Sequence, residues 1–218
     1  MNSMLENIYV LAALAIVIGY AFGCFSTAYF VGKANHIDIR SYGSGNAGTT
    51  NAMRTLGRKA GIITYIGDFL KAVIPIYLAK FLLLSGHPDA DLICFILGLG
   101  VVLGHNYPVW LNFKGGKGIA VTSGVFIAVV PHIAVFALIL FVIISLTSKY
   151  ISLASICAIL FAGTWIMINY DFAVPYVIVL LFYIFLALWQ HRTNIVRLIH
   201  GTENKIGQHK PPLVENMK

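Results

Sequence analysis

Two stretches of the chain combine glycine, small polar residues and cations in a way that suits phosphate. The first is residues 41–54, SYGSGNAGTTNAMR. Gly43, Gly45 and Gly48 allow left-handed turns and expose backbone N–H groups. Successive exposed N–H groups form a nest for an anion, to which Ser44 and Asn46 would add polar side chains. Thr49, Thr50 and Asn51 read as the start of a helix, whose N-terminus favours negative charge. Arg54 follows about one turn later and supplies a fork for phosphate oxygens. The plainer reading is an ordinary loop capped by Thr and Asn. The second stretch is residues 104–118, GHNYPVWLNFKGGKG. Here Gly115 and Gly116 sit between Lys114 and Lys117 and are expected to offer bare N–H groups beside cations; the plainer reading is a positive turn at the lipid headgroups. A nucleotide P-loop is excluded, because Leu111 stands where its first Gly belongs and Gly118 where Ser or Thr belongs.

Three further sets of residues stand out. Ser152 and Ser155 in TSKYISLAS lie three apart, on one helix face, though small residues at such spacing also serve helix packing in membranes. His191 and Asn194 in QHRTNIVRLIHGTENK share a face in the same way, with Arg192 placed to snorkel toward headgroups. Asp68 and Lys71 interrupt an apolar helix at a spacing that lets them pair; their expected work is to hold the 34–59 loop in place. No metal is expected. Cys24, Cys94 and Cys157 lie apart in apolar runs without ligand spacing, and no carboxylate cluster accompanies the motifs.

The elements that position these residues are membrane helices. Of 218 residues, 59% are hydrophobic and 11% charged, against roughly 25% charged in a soluble domain. The formal net charge of +7 does not point to nucleic acid. Its Lys and Arg lie in short segments between apolar runs, where the positive-inside rule puts them, and no aromatic stacking platform sits beside them. The expectation is an all-α integral membrane protein, a bundle of about seven transmembrane helices over roughly 5–33, 60–84, 91–111, 116–130, 132–147, 152–168 and 172–190. Splitting 116–147 at Pro131-His132 decides the count. It places Arg40, Arg54, Arg58, Lys59, Lys114, Lys117, Lys149, Arg192 and Arg197 on one side, with Glu6, Asp89, Asp91 and Asp171 on the other. The N-terminus is then outside and the C-terminus cytoplasmic. The first run has no basic residue before it, so it reads as a retained span and not a cleaved signal. Residues 1–218 are expected to form a single membrane-embedded domain, with 201–218 a loose cytoplasmic tail.

Taken in order, SGNAGTTNAMR, GHNYPVWLNFKGGKGIA, SLAS and HRTNIVRL resemble the bacterial membrane glycerol-3-phosphate acyltransferases that use acyl phosphate as donor. The resemblance runs from Gly19 to about Lys205 and departs at Thr49, where that family usually has Ala. It implies transfer of an acyl group from acyl phosphate to glycerol 3-phosphate, giving lysophosphatidic acid and phosphate, the first acylation step of phospholipid biosynthesis. It implies no cofactor, a bacterial plasma (inner) membrane location with the site facing the cytoplasm, contact with membrane lipid, and the enzyme supplying acyl phosphate as a partner. By the same resemblance His191, Ser155, Asn194 and Lys117 are catalytic, while Ser44, Asn46, Thr50, Asn51, Arg54, Lys114, His105, Gly115 and Gly116 bind substrate. Either His191 or the donor's own phosphate takes the hydroxyl proton. Independently of the resemblance, two phosphorylated substrates want two anion sites, and two glycine–cation segments are present. Acyltransferases of the HxxxxD type are disfavoured, since no histidine here has Asp at that offset. A transporter of phosphorylated solutes would show internal repeats and polar residues midway through several spans, and neither is visible. A scaffold leaves the glycine and lysine segments unexplained.

Overall fold

The computed structural model describes residues 7–207. Their regular structure is helical, without β-strand. In chain order the helices are α1 (Ile8–Gly23), α2 (Thr27–Ala34), α3 (Thr49–Leu56), α4 (Arg58–Leu78), α5 (Ala90–Asn106) and α6 (Ile119–Val129). There follow α7 (Pro131–Ser148), α8 (Ile151–Asn169), α9 (Val174–Gln190) and α10 (Arg192–Ile199). Two compact units are present, one running to Val125 and the other starting at Phe126, so that the division falls inside α6.

Among the described residues, five helical stretches are long and apolar enough to cross a membrane: Ile8–Ala34, Arg58–Leu83, Ala90–Leu111, Pro131–Ser148 and Ile151–Asn169. A sixth is added if α9 and α10, bent by 59°, are taken together. The apolar helices fall close to the expected ranges, including the division of 116–147 before Pro131. Pro suits the first position of a helix, where its missing N–H is not needed. However, α6 has 11 residues. It rises roughly 16 Å, short of the ~30 Å hydrocarbon core.

In the first unit, α1 opens on Asn7, whose side-chain oxygen accepts from the N–H groups of Tyr9 and Val10. It buries only Leu11, Ala15, Gly19 and Gly23, every fourth residue, which makes one narrow stripe. The rest of its surface is apolar and outward, including Val17, Ile18 and Phe22, as lipid contact requires. The stripe meets α5, which is buried along most of its length. Gly19 and Gly23 lie against the carbonyls of Leu97 and Val101, and Gly100 and Gly104 against those of Ile16 and Tyr20. A Cβ at any of the four would strike backbone. Between lipid-bathed helices this close approach is a main source of attraction, since lipid tails are as apolar as Leu.

In the second unit, α7 and α8 form an antiparallel pair joined through Lys149, whose φ of 64° is left-handed. Phe136 and Trp165 meet across that pair at 5.2 Å. The turn into α9 carries Asp171 and Phe172, both left-handed, and there Tyr170 stacks on Tyr176 at 4.0 Å. Tyr183, Leu180 and Ile166 are wholly buried between α8 and α9. Lys149 and α10 lie at one end and Asp171 at the other, because the Ile206 N–H, just past α10, donates to the Lys149 carbonyl at 2.8 Å. The same bond corrects the expectation of a loose tail from residue 201: the described part, 201–207, is held. Residues 208–218 and Glu6 lie outside the described residues.

Candidate active site

The glycine loop of the first unit is built around one amide. Asn51 is 2% exposed. Its Nδ2 donates to the carbonyls of Ile39 and Tyr42, each at 3.0 Å, and its Oδ1 accepts from the Ser44 N–H at 2.8 Å. Gly43, with φ of 63°, passes directly over that Oδ1, where a Cβ would collide with it. Asn51 was expected to touch substrate. It is instead turned into the fold, and its work is to hold the loop's shape. The loop then presents Ser44 outward, while Asn46 bends back so that its Oδ1 lies beside Gly48. From Gly48, α3 begins with no side-chain cap, leaving its first N–H groups and its positive dipole end available to an anion, with Thr50 in the first turn. Arg54, half-buried one turn on, has no carboxylate partner among the described residues. That is the condition under which a guanidinium is most useful to phosphate.

The lysine segment lies against this loop. The Ala47 N–H donates to the Gly115 carbonyl at 3.3 Å, and Arg40 donates to the Leu111 carbonyl at 2.9 Å. Arg40 also forks onto Asp38 at 2.7 Å, and its hydrogen bonds hold the Asp38 carboxyl below the usual carboxylate range. The geometry corrects the expected role of Gly115 and Gly116. Their N–H groups are not bare: they donate to the carbonyls of Asn106 and His105, at 3.1 and 3.0 Å. A Cβ on Gly115 would meet the His105 carbonyl, and one on Gly116 the His105 ring. These glycines permit close packing of the lysine turn on the end of α5. Lys114 is exposed and Lys117 half-buried on either side of them.

His105 is likewise placed differently from the expectation. It is buried, and its Nδ1 lies 2.9 Å from the Lys71 ammonium. Lys71 also donates to the Phe25 carbonyl at 2.7 Å and pairs with Asp68 at 3.0 Å; Asp68 accepts from Thr27 at 3.1 Å. An ammonium has three donors, and three acceptors surround it, so the neutral His105 accepts at Nδ1 and carries its proton on Nε2. Asp68 and Lys71 are thus paired as expected, but they do not hold the 34–59 loop. They tie the start of α2 to the end of α5, and His105 carries that link to the lysine turn.

In the second unit Ser152 and Asn194 are joined by a residue missed in the sequence. Glu203, 8% exposed, accepts from Ser152 at 3.1 Å, from Asn194 Nδ2 at 2.7 Å and from Arg197 at 2.8 Å. Burial acts to raise its pKa, but these hydrogen bonds outweigh burial and hold the carboxyl below its ordinary range. Nothing local flags Glu203, since it lies past the end of α10, outside any helical spacing. Ser155, one turn beyond Ser152, donates to the Ile151 carbonyl at 2.8 Å. His191, 3% exposed, sits at the joint of α9 and α10, with Nδ1 2.8 Å from the Ala187 carbonyl. A carbonyl only accepts, so Nδ1 carries the proton and Nε2 is the basic nitrogen. A second missed residue is Asn106 of the first unit, fully buried beside Gly118, whose φ of 82° turns the chain into α6. Among the described residues no group of three or more His, Cys, Asp or Glu could hold a metal ion.

The sequence matches the family described as glycerol-3-phosphate acyltransferase over residues 13–201. The glycerol-3-phosphate acyltransferase of Alkaliphilus metalliredigens is 43% identical over 196 residues, covering 89% of this chain and 96% of its own. That of a Thermoanaerobacter species is 43% identical over 200 residues, covering 90% and 96%. Among solved structures, PlsY, an integral membrane glycerol 3-phosphate acyltransferase in its glycerol 3-phosphate form, superposes with a TM-score of 0.81 at 34% identity. That match covers 94% of this chain and 98% of PlsY.

Proposed function

Because the chain belongs to the glycerol-3-phosphate acyltransferase family, we propose that it transfers a fatty acyl group from acyl phosphate to glycerol 3-phosphate, yielding lysophosphatidic acid and phosphate. The observation that carries the donor's identity is the glycine–cation cradle. It joins an uncapped helix N-terminus, Arg54, Lys114 and Lys117 without an acidic side chain among its motif residues. A terminal phosphate on an acyl chain fits such a cradle, and it needs neither a nucleotide fold nor a carrier protein.

The roles follow from chemistry. Ser44, Asn46, Arg54 and Lys117 hold the acyl-phosphate headgroup, with Thr50 and Lys114 beside them, and Asn51 keeps the loop in shape. Ser155, His191 and Asn194 orient glycerol 3-phosphate. The acceptor hydroxyl oxygen attacks the acyl carbon, the acyl carbon–oxygen bond to phosphate breaks, and phosphate departs with the electron pair. The hydroxyl proton passes either to His191 Nε2 or to the donor phosphate. The donor is already a mixed anhydride, so no acyl-enzyme is required, and catalysis rests on positioning and charge stabilisation. Both units belong to one acyltransferase domain. In the membrane the chain makes seven passages, with α6 the shortest, the N-terminus outside and the basic segments cytoplasmic. It lies in the bacterial inner membrane and draws acyl phosphate from the enzyme that makes it.

Purified protein in liposomes tests this with acyl phosphate, glycerol 3-phosphate and, for comparison, acyl-CoA. Lysophosphatidic acid and phosphate should form in equal amounts from acyl phosphate and not from acyl-CoA. Equal use of acyl-CoA would sink the donor assignment. Cysteine labelling that placed Lys149 and Arg54 on opposite faces would sink the topology.

A further inference from the structure

Lys71 of α4 is a buried cation, and a buried charge is costly unless it is well paired. Its pairing goes further than neutrality requires. Asp68 balances the charge at 3.0 Å, and the Phe25 carbonyl takes a second donor at 2.7 Å. The third donor goes to Nδ1 of His105 at 2.9 Å, although a neutral imidazole adds nothing to the charge balance. His105 in turn lies where the lysine turn meets the glycine loop. Its carbonyl accepts from the Gly116 N–H at 3.0 Å, and its ring packs against Gly116. A Cβ on Gly116 would strike Nε2 and would also come within 3.0 Å of the Ala47 carbonyl. The two segments of the cradle therefore meet over one imidazole, and that imidazole is held by Lys71.

We propose that Lys71 is a positioning residue for the donor phosphate, acting through the ring of His105 to set the lysine turn against the glycine loop. The inference rests on the reading of that cradle as the acyl-phosphate site. An imidazole has two flipped orientations of nearly the same shape, which exchange nitrogen for carbon. The Lys71 ammonium selects one of them, because in the other it would face a C–H and lose an acceptor. With Nδ1 held on Lys71, Nε2 lies on the Gly116 side. Gly116 has no Cβ to hold the ring off, so a turned ring displaces the backbone between Lys114 and Lys117. A misplacement of about 1 Å in such a site can cost ~10²-fold in rate. A tie that served stability alone would need no charge, since buried ion pairs are often replaced by apolar residues without loss. An apolar pair cannot orient a ring nitrogen.

The test is steady-state kinetics of the full chain in liposomes, with acyl phosphate and glycerol 3-phosphate varied separately, beside thermal unfolding in detergent. Asp68→Asn combined with Lys71→Met removes the ammonium and its counter-charge together, so no lone charge stays buried. This double variant should melt within about 3 °C of wild type. It should raise KM for acyl phosphate about tenfold, while KM for glycerol 3-phosphate stays within about twofold. His105→Phe cuts the same bond from its other end and should give the same selective rise. Adding it to the double variant should raise KM no further, because both changes break one path. An unchanged KM for acyl phosphate in the stable double variant overturns the proposal, as does a rise in both constants together. Additive effects in the combined variant overturn it as well, since Lys71 would then act otherwise than through His105. A rise confined to glycerol 3-phosphate overturns it along with the donor assignment of the cradle. If the double variant cannot be recovered folded, His105→Phe decides by the same criterion. Wild-type protein that forms no lysophosphatidic acid overturns the functional reading itself, an outcome separate from an active wild type with an indifferent variant.

Discussion

The candidate residues of the first unit and those of the second are made of different material. In the first unit the groups offered to a ligand are backbone N–H groups and cations, and the side chain that organises them, Asn51, is hidden beneath. In the second unit the groups offered are side chains, and what organises them is an ionised acid, Glu203. The contrast follows from the ligands each set would serve. A phosphate headgroup carries dispersed charge and tolerates many directions of approach, so cations around it suffice. A hydroxyl is neutral and directional, so its partners must be oriented, and a carboxylate at their back orients them. An acid beside Arg54 would defeat the first set, whereas the absence of Glu203 would loosen the second.

Removing Arg54 should break the contrast most severely. Arg54→Ala should lower kcat/KM by about 10³-fold, as for loss of a group that stabilises departing charge, with the loss appearing on the acyl-phosphate side. Steady-state kinetics with each substrate varied in turn checks this; a loss confined to KM for glycerol 3-phosphate would reverse the assignment of the two sets. His191→Gln asks whether the second set does chemistry as well as orientation. If His191 is the base, kcat should fall about 10²-fold; near-native kcat with a raised KM would give the proton to the donor phosphate. Asn51→Ala removes a hidden brace and leaves the Ile39 and Tyr42 carbonyls and the Ser44 N–H without their partner. It should destabilise the protein by about 1–3 kcal/mol and raise KM for acyl phosphate only, seen by thermal unfolding in detergent alongside kinetics.

The smallest effect is with acid. Asp38 and Glu203 both have folded-state pKa values below their ordinary ones. Each contributes stability that is complete above the ordinary carboxylate range and is lost as pH falls through the lowered folded value. Stability should therefore be insensitive to these two groups from neutral pH down to about 5 and decline below that. Asp38→Asn, at a partly exposed pair, should remove less than about 1 kcal/mol of that acid dependence; a melting temperature that rises on acidification would contradict it.

Much of this was legible beforehand, for identifiable reasons. Apolar runs mark membrane helices because lipid imposes their length, and the break before Pro131 follows from proline's missing N–H. Glycine clusters mark turns, as Gly43 and Gly45 do with their left-handed φ. What stayed hidden depends on pairings distant in the chain. Gly115 and Gly116 have the composition of an anion nest, but the end of α5 claims their amides. His105 is drawn inward by Lys71, 34 residues earlier, and no periodicity reports such a partner. Glu203 sat in a polar stretch that reads as a loose end, and only the closure of 201–207 over Lys149 reveals it. The shortness of α6 was obscured because the apolar run from Ile119 passes Val130 into α7 with only Pro131-His132 to divide it.

The glycine contact between α1 and α5 behaves as a ratchet. Its teeth are backbone carbonyls seated on Gly19, Gly23, Gly100 and Gly104, so the helices can engage only at steps of four residues, about 6 Å. Any smaller slip drives a side chain into a carbonyl. That tooth spacing passes directly to the ends of both helices, where Phe25 and His105 must each meet Lys71. Register is thus set by backbone contact between α1 and α5 and carried one or two residues on, to Phe25 and His105.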